Sequence, residues 1–120
     1  MILPNGDRAI VDIRKLRDYC LNPDNPRGSR KARVFKSALG MTKVDAPALR
    51  QRLLQVAVSE QAQVGELDRY GQRYTLEFEL RKGTRKVDVR SGWIILSNEL
   101  CHVLRRVSSR RGKDNGEAKN

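Results

Sequence analysis

The chain has 120 residues, with 25 Lys or Arg against 14 Asp or Glu, for a formal net charge of +11. That length suits one domain with a core able to fold alone. The charge draws polyanions: nucleic acid first, an acidic protein second and a membrane surface last. No apolar run approaches the ~18 residues of a membrane span, the first residues lack the basic and apolar regions of a signal peptide, and a cytoplasmic protein without membrane contact is expected.

Residues 1–10 read as an extended lead-in, with a turn at Leu3-Pro4-Asn5-Gly6 and a short edge strand over Ala9-Ile10-Val11. Ile13, Leu16 and Tyr19/Cys20 recur at spacings of three and four, which predicts an amphipathic helix over about 12–21. Asn22-Pro23-Asp24-Asn25-Pro26-Arg27-Gly28 holds two prolines and a glycine and must be loop. Ser29 is the expected N-cap of a second helix with Ala32, Phe35, Ala38 and Leu39 on one side, closed by Gly40. A third helix follows, capped by Thr42 or Asp45, with Pro47 in its first turn and Leu49, Leu53, Val56 and Ala57 on its apolar side.

After Gln61 the period changes to two. Tyr74, Leu76, Phe78 and Leu80 alternate with Arg73, Thr75, Glu77 and Glu79, a strand with one wet face. Lys82-Gly83 marks a turn, and Val87, Val89, Ser91 and Trp93 alternate with Asp88, Arg90 and Gly92 on a second strand. Both faces become apolar toward Ile94-Ile95-Leu96, the pattern of a strand end buried on both sides. Val64–Leu67 and Leu100–Leu104 are candidate further strands. The polar stretch from Ser108 onward reads as a disordered basic tail, giving a single domain over 1–107 and a tail over 108–120. The expected class is therefore α+β, with about three N-terminal helices packed on a roughly four-stranded antiparallel sheet.

Two clusters carry candidate chemistry. Arg27, Arg30, Lys31 and Arg33 gather at the start of the second helix, where free N–H groups and the positive dipole end favour phosphate. Cations there oppose the dipole, a cost that a bound anion would relieve, although a solvated basic first turn is the plainer reading. In the hairpin, Arg73, Thr75, Glu77 and Arg90 share the polar face. Pairing Arg81 with Thr84 sets Thr75 opposite Arg90, and a register two residues away sets Glu77 opposite it. A carboxylate between two guanidiniums is either an ordinary cross-strand salt bridge or a site in which arginines clamp a phosphate and Glu77 accepts a proton from a ribose 2′-OH.

Tyr70 is a candidate stacking platform, Trp93 reads as core, and the lone His102 reads as structural. Cys20 and Cys101 lie far apart without CxxC spacing and read as buried free thiols. No metal-ligand cluster, phosphate-binding glycine loop or GxSxG occurs, so neither metal nor cofactor is expected.

The blocks Leu3-Pro4-Asn5, Asp18-Tyr19-Cys20-Leu21-Asn22-Pro23, Pro26-Arg27-Gly28, Lys31-Ala32-Arg33-Val34-Phe35, Tyr70-Gly71-Gln72-Arg73-Tyr74 and Val89-Arg90-Ser91-Gly92-Trp93-Ile94 together resemble a family of small bacterial domains of unknown function. That family occurs free-standing and at the C-termini of polymorphic toxins. The resemblance spans about residues 3–96. The order of helices then antiparallel sheet is similar, at fold level only, to metal-independent ribonuclease toxins such as barnase, EndoU, the colicins and RelE. The analogy implies RNA as partner, 2′-OH attack on the adjacent phosphate, Lys31, Arg73 and Arg90 as catalytic positions beside Glu77, and an acidic antitoxin or immunity protein as second partner. The family pattern has His in HPRG and HKARVF where this chain has Asn25 and Arg30. The alternatives are a nucleic-acid-binding protein without catalysis and a protein–protein module that docks on an acidic partner.

Overall fold

The computed structural model describes residues 1–96 and the backbone of residues 102–109. Leu100, Cys101, the His102 side chain and the tail from residue 110 onward fall outside the described residues. The class is α+β, as expected, with helices on one face of an antiparallel sheet.

The lead-in does not form the expected strand at Ala9–Val11. A 3-10 turn at Gly6–Arg8 follows Asn5, whose φ of 57° turns the chain. Val11 is buried, and its carbonyl accepts the Arg50 Nε–H at 2.9 Å, which ties this segment to a helix. Ile2 bridges Gln61, and Ile10 holds a single bridge position rather than a strand. The helix expected over 12–21 is a π-helix at Lys15–Cys20, in which the Leu21 N–H reaches the Leu16 carbonyl at 2.8 Å. The wider turn buries Leu16 and Cys20 together.

Helix α1 spans Ser29–Leu39 and buries Ala32, Phe35 and Leu39. Gly40 ends it in the left-handed region at φ 71°. Its start differs from expectation: Gly28, not Ser29, is the cap residue, and no side chain of either caps it. Asn25, in the preceding loop, accepts the Arg27 and Gly28 N–H groups instead. A Thr42–Asp45 capping box and a 3-10 turn at Lys43–Asp45 lead into α2, Ala46–Ser59, with Pro47 in its first turn. Leu49, Leu53, Val56 and Ala57 are buried along α2.

Strands β1 (Ala62–Asp68), β2 (Gly71–Lys82), β3 (Arg85–Leu96) and β4 (His102–Ser109) form an antiparallel meander in the order β1-β2-β3-β4. Lys82 pairs with Arg85 across Gly83-Thr84. Gly83 alone has positive φ in this loop, at 63°, the sign pattern of a type II′ turn with glycine at its first central position. That turn selects the register in which Glu77 faces Arg90 and Thr75 faces Gly92. Leu76, Phe78, Leu80, Val87, Val89 and Trp93 point to the helices and join Phe35, Leu39, Leu49 and Leu53 in one core. The buried Ser91 donates to the carbonyl of its cross-strand neighbour Leu76 at 3.0 Å and accepts the Trp93 indole N–H at 2.9 Å, so the core tryptophan keeps a partner. Ser108 and Ser109 pair with Arg90 and Val89. Among the described residues no helix is long and apolar enough to cross a membrane.

Candidate nucleic-acid interface

The wet face of the hairpin brings Arg73, Thr75, Glu77 and Arg90 together, as their alternation predicts. The Glu77 carboxylate oxygen Oε2 accepts the Arg90 Nε–H at 2.9 Å, and the Arg90 Nη2 lies 2.8 Å from the same oxygen. Arg73 does not share Glu77. Its Nε–H goes to Asp68 Oδ2 at 3.0 Å, across the β1–β2 turn. Asp68 also accepts the Tyr70 and Gly71 backbone N–H groups, and the Arg73 guanidinium foremost, then these donors, hold its carboxyl below the usual range. Between the two pairs lies a concavity of about 580 Å³ whose floor is Thr75 opposite Gly92 and whose walls include Arg73, Arg90, Asp68 and Glu66. Both arginines are partly exposed, 37% and 41%, and each already has a carboxylate partner. Pairs so solvated add little net stability.

Lys31 stands elsewhere. It lies on α1, in the layer that covers the opposite face of the sheet, and its Nζ sits 5.4 Å from the Tyr19 ring centroid. The sheet therefore separates Lys31 from Arg73, Glu77 and Arg90, and these four side chains do not form one centre. The reason is parity: the even-numbered β2 residues and odd-numbered β3 residues face the helices, and Arg73, Glu77 and Arg90 have the other parity.

The start of α1 is built from the loop before it. Asn25 Oδ1 accepts the Arg27 N–H at 2.9 Å and the Gly28 N–H at 3.0 Å, while its Nδ2 donates to the Asp18 carbonyl at 3.0 Å. Its own carbonyl accepts the Ser29 N–H at 2.8 Å. Asn22 repeats the pattern, with Oδ1 on the Asp24 N–H and Nδ2 on the Asp18 carbonyl. Asn25 is thus a loop clamp that uses both ends of its amide. The N–H groups of Arg27, Gly28 and Ser29 are occupied, so the phosphate cradle expected from free N–H groups is narrower than the sequence implies. Gly28 is required by contact: a Cβ there would lie 2.0 Å from the Tyr19 carbonyl oxygen.

What α1 keeps is charge. Arg27, Arg30, Arg33 and Lys36 are exposed, and none is in an ion pair with a described residue. At ~100° per residue, Arg30 points directly away from the buried Ala32, Phe35 and Leu39, Arg33 flanks it, and Lys31 and Lys36 lie at the two margins. Lys36 was not singled out in the sequence; its position three residues after Arg33 is the signal. Asp68 was also missed, although Asp68-Arg69-Tyr70-Gly71 carries the signature of a turn whose Asp bonds the backbone ahead of it.

Tyr70 is exposed at the β1–β2 turn, with the Arg69 guanidinium 5.0 Å from its ring centroid. Trp93 is core. Burial pushes the Cys20 thiol up to about 12, so it is not a nucleophile at neutral pH. Among the described residues no group of His, Cys, Asp and Glu could hold a metal ion.

Comparison with known proteins places residues 2–107 in the family described as a domain of unknown function, DUF6883. No curated protein and no solved structure matches the chain. With nearly its whole length covered, the chain belongs to that family.

Proposed function

We propose that this member of the DUF6883 family binds RNA through the solvent face of α1. The observation that supports this reading is the contrast in pairing. Arg27, Arg30, Arg33 and Lys36 meet no carboxylate among the described residues, whereas Arg73 and Arg90 each hold one. Cations without a carboxylate partner, on α1 and just before it, can displace counterions from a phosphate backbone without first giving up a partner. RNA is preferred to duplex DNA because the order of elements is similar to that of the metal-independent ribonucleases, and duplex DNA is the comparator in the test. The test is binding of labelled single-stranded RNA and duplex DNA to the wild type and to Arg30→Ala/Arg33→Ala/Lys36→Ala. Loss of RNA binding in the variant supports the reading; unchanged affinity sinks it.

Cleavage is a second reading, favoured by the groove over Thr75 and Gly92. A scissile phosphate seated there meets Arg90 and Arg73, and Glu77, which Arg90 holds beside the groove, accepts the 2′-OH proton as that oxygen bonds to phosphorus and the 5′-oxygen leaves. Lys31 has no part in such a site. Incubation of total RNA and tRNA in EDTA with wild type, Arg90→Ala and Glu77→Gln decides it. Fragments ending in 2′,3′-cyclic phosphate, lost in both variants, support cleavage. Intact RNA with retained binding leaves binding alone.

A further inference from the structure

Beside the basic face of α1 lies a concavity of about 450 Å³ between the loop after the π-helix, α1 and the segment leading into α2. Its floor is apolar: Leu21, Ala32 and Met41, all buried. Its rim carries Arg33, Lys36 and Lys43 against a single acid, Asp24. Val44 stands on the same rim and is 86% exposed, the most exposed large apolar side chain among the described residues. An apolar floor and an apolar post ringed by cations is a poor match for a bare phosphate chain, which offers nothing to the floor. It is a good match for a ligand that joins apolar side chains to carboxylates.

We propose that this pocket docks an acidic amphipathic segment of a protein partner, with one large apolar side chain on Leu21, Ala32 and Met41 beside Val44 and carboxylates on Arg33, Lys36 and Lys43. Charge complementarity carries the choice of occupant. A second copy of the chain brings another +11 to a basic rim. The residues from 108 onward have no apolar side chain larger than alanine and more cations than acids, so they offer neither the anchor nor the charge. Because Arg33 and Lys36 belong to both surfaces, the docked segment covers part of the proposed RNA face. This regulatory consequence, unlike the docking itself, rests on the RNA reading.

The test uses the full chain and a fluorescein-labelled peptide of roughly 16 residues with Glu and Leu at helical spacing, compared with a Glu/Ser peptide of equal charge. Anisotropy is read at ~0.15 M salt. The Glu/Leu peptide is expected to bind at least about tenfold more tightly than the Glu/Ser peptide, and Val44→Asp or Val44→Ser to remove most of that difference. Val44 is so exposed that neither change threatens the fold. Lys86→Glu, on the wet face of the sheet, alters net charge more than Val44→Asp does and is expected to matter less. Equal binding of the two peptides, no binding of either, or an equal loss in Lys86→Glu overturns the docking proposal. Labelled RNA is then titrated with saturating Glu/Leu peptide. Displacement supports masking, and simultaneous binding overturns it. A wild type that takes the peptide but no RNA leaves the docking site standing and removes the RNA reading alone.

Discussion

The salt dependence of RNA binding measures how many cations at the start and along the face of α1 meet phosphate. If Arg27, Arg30, Lys31, Arg33 and Lys36 each neutralise one phosphate of a single strand, log K should fall with log salt with a slope of about −3.5. Replacing Arg30, Arg33 and Lys36 with alanine removes three of those contacts, so the slope should relax to about −1.4. At ~0.1 M salt the affinity should fall about 100-fold, since each contact contributes about 0.7 log units there. The three positions are exposed and alanine is the best helix former, so α1 is expected to keep its helicity by circular dichroism. Arg81→Ala/Lys86→Ala is the control for cations elsewhere: it removes two that lie 2.7 Å and 3.8 Å from Glu79 on the wet sheet face. The assay is fluorescence anisotropy of a labelled RNA between about 50 mM and 200 mM salt. A triple variant that keeps the wild-type slope, or a control that loses as much, refutes the assignment of the interface to α1.

Further outcomes follow from the packing and the ionised groups. Gly28→Ala drives a Cβ to within 2.0 Å of the Tyr19 carbonyl oxygen and should cost about 3 kcal/mol in urea unfolding, the upper end of ordinary overpacking. A stability within error of wild type would refute the close approach. Ser91→Ala strands the buried Trp93 N–H and should cost about 1–3 kcal/mol, read from the fluorescence of the single tryptophan. Cys20 should resist iodoacetamide at pH 8 in the native protein and react only on unfolding, as peptide-resolved mass spectrometry would show. The hydrogen bonds from Arg14, side chain first and then backbone, hold the Asp12 carboxyl at about 2 against an ordinary 3.8. Its folded value lies below its unfolded value, so its contribution to stability is complete above pH 3.8 and is lost as pH falls through about 2. An NMR titration should place the Asp12 midpoint near 2, and Arg14→Ala should raise it.

The hairpin was legible because alternation reports faces: Leu76, Phe78 and Leu80 go inward and Arg73, Glu77 and Arg90 outward, as their parity demands. Register was not legible, since Lys82-Gly83 and Gly83-Thr84 both make a short turn and preserve the same faces. The positive φ at Gly83 breaks that tie. The helical segments were legible through Leu16, Phe35 and Leu53 at helical spacing, but the π-helix was not, because one extra residue per turn leaves a short apolar pattern almost unchanged. The larger failure concerns Lys31. A list of basic residues carries no information about which sheet face the helices cover, so residues from both faces were assigned to one centre. The role of Asn25 was likewise hidden: in sequence it is a loop residue beside two prolines, and only the geometry shows both ends of its amide in use.

The meander order has a consequence for how the chain acquires its structure. Each strand pairs with its sequence neighbour, so the sheet closes through short loops and needs no crossover, a topology of local contacts that assembles fast. The helices cannot settle before it does. α1 rests on β3 and α2 on β2, and the core partners of Phe35, Leu39, Leu49 and Leu53 include Leu76, Phe78, Val89 and Trp93, all made later. During synthesis the first half of the chain therefore emerges with its apolar stripes uncovered and its cations already present. The domain becomes a folding unit only when β3 leaves the ribosome.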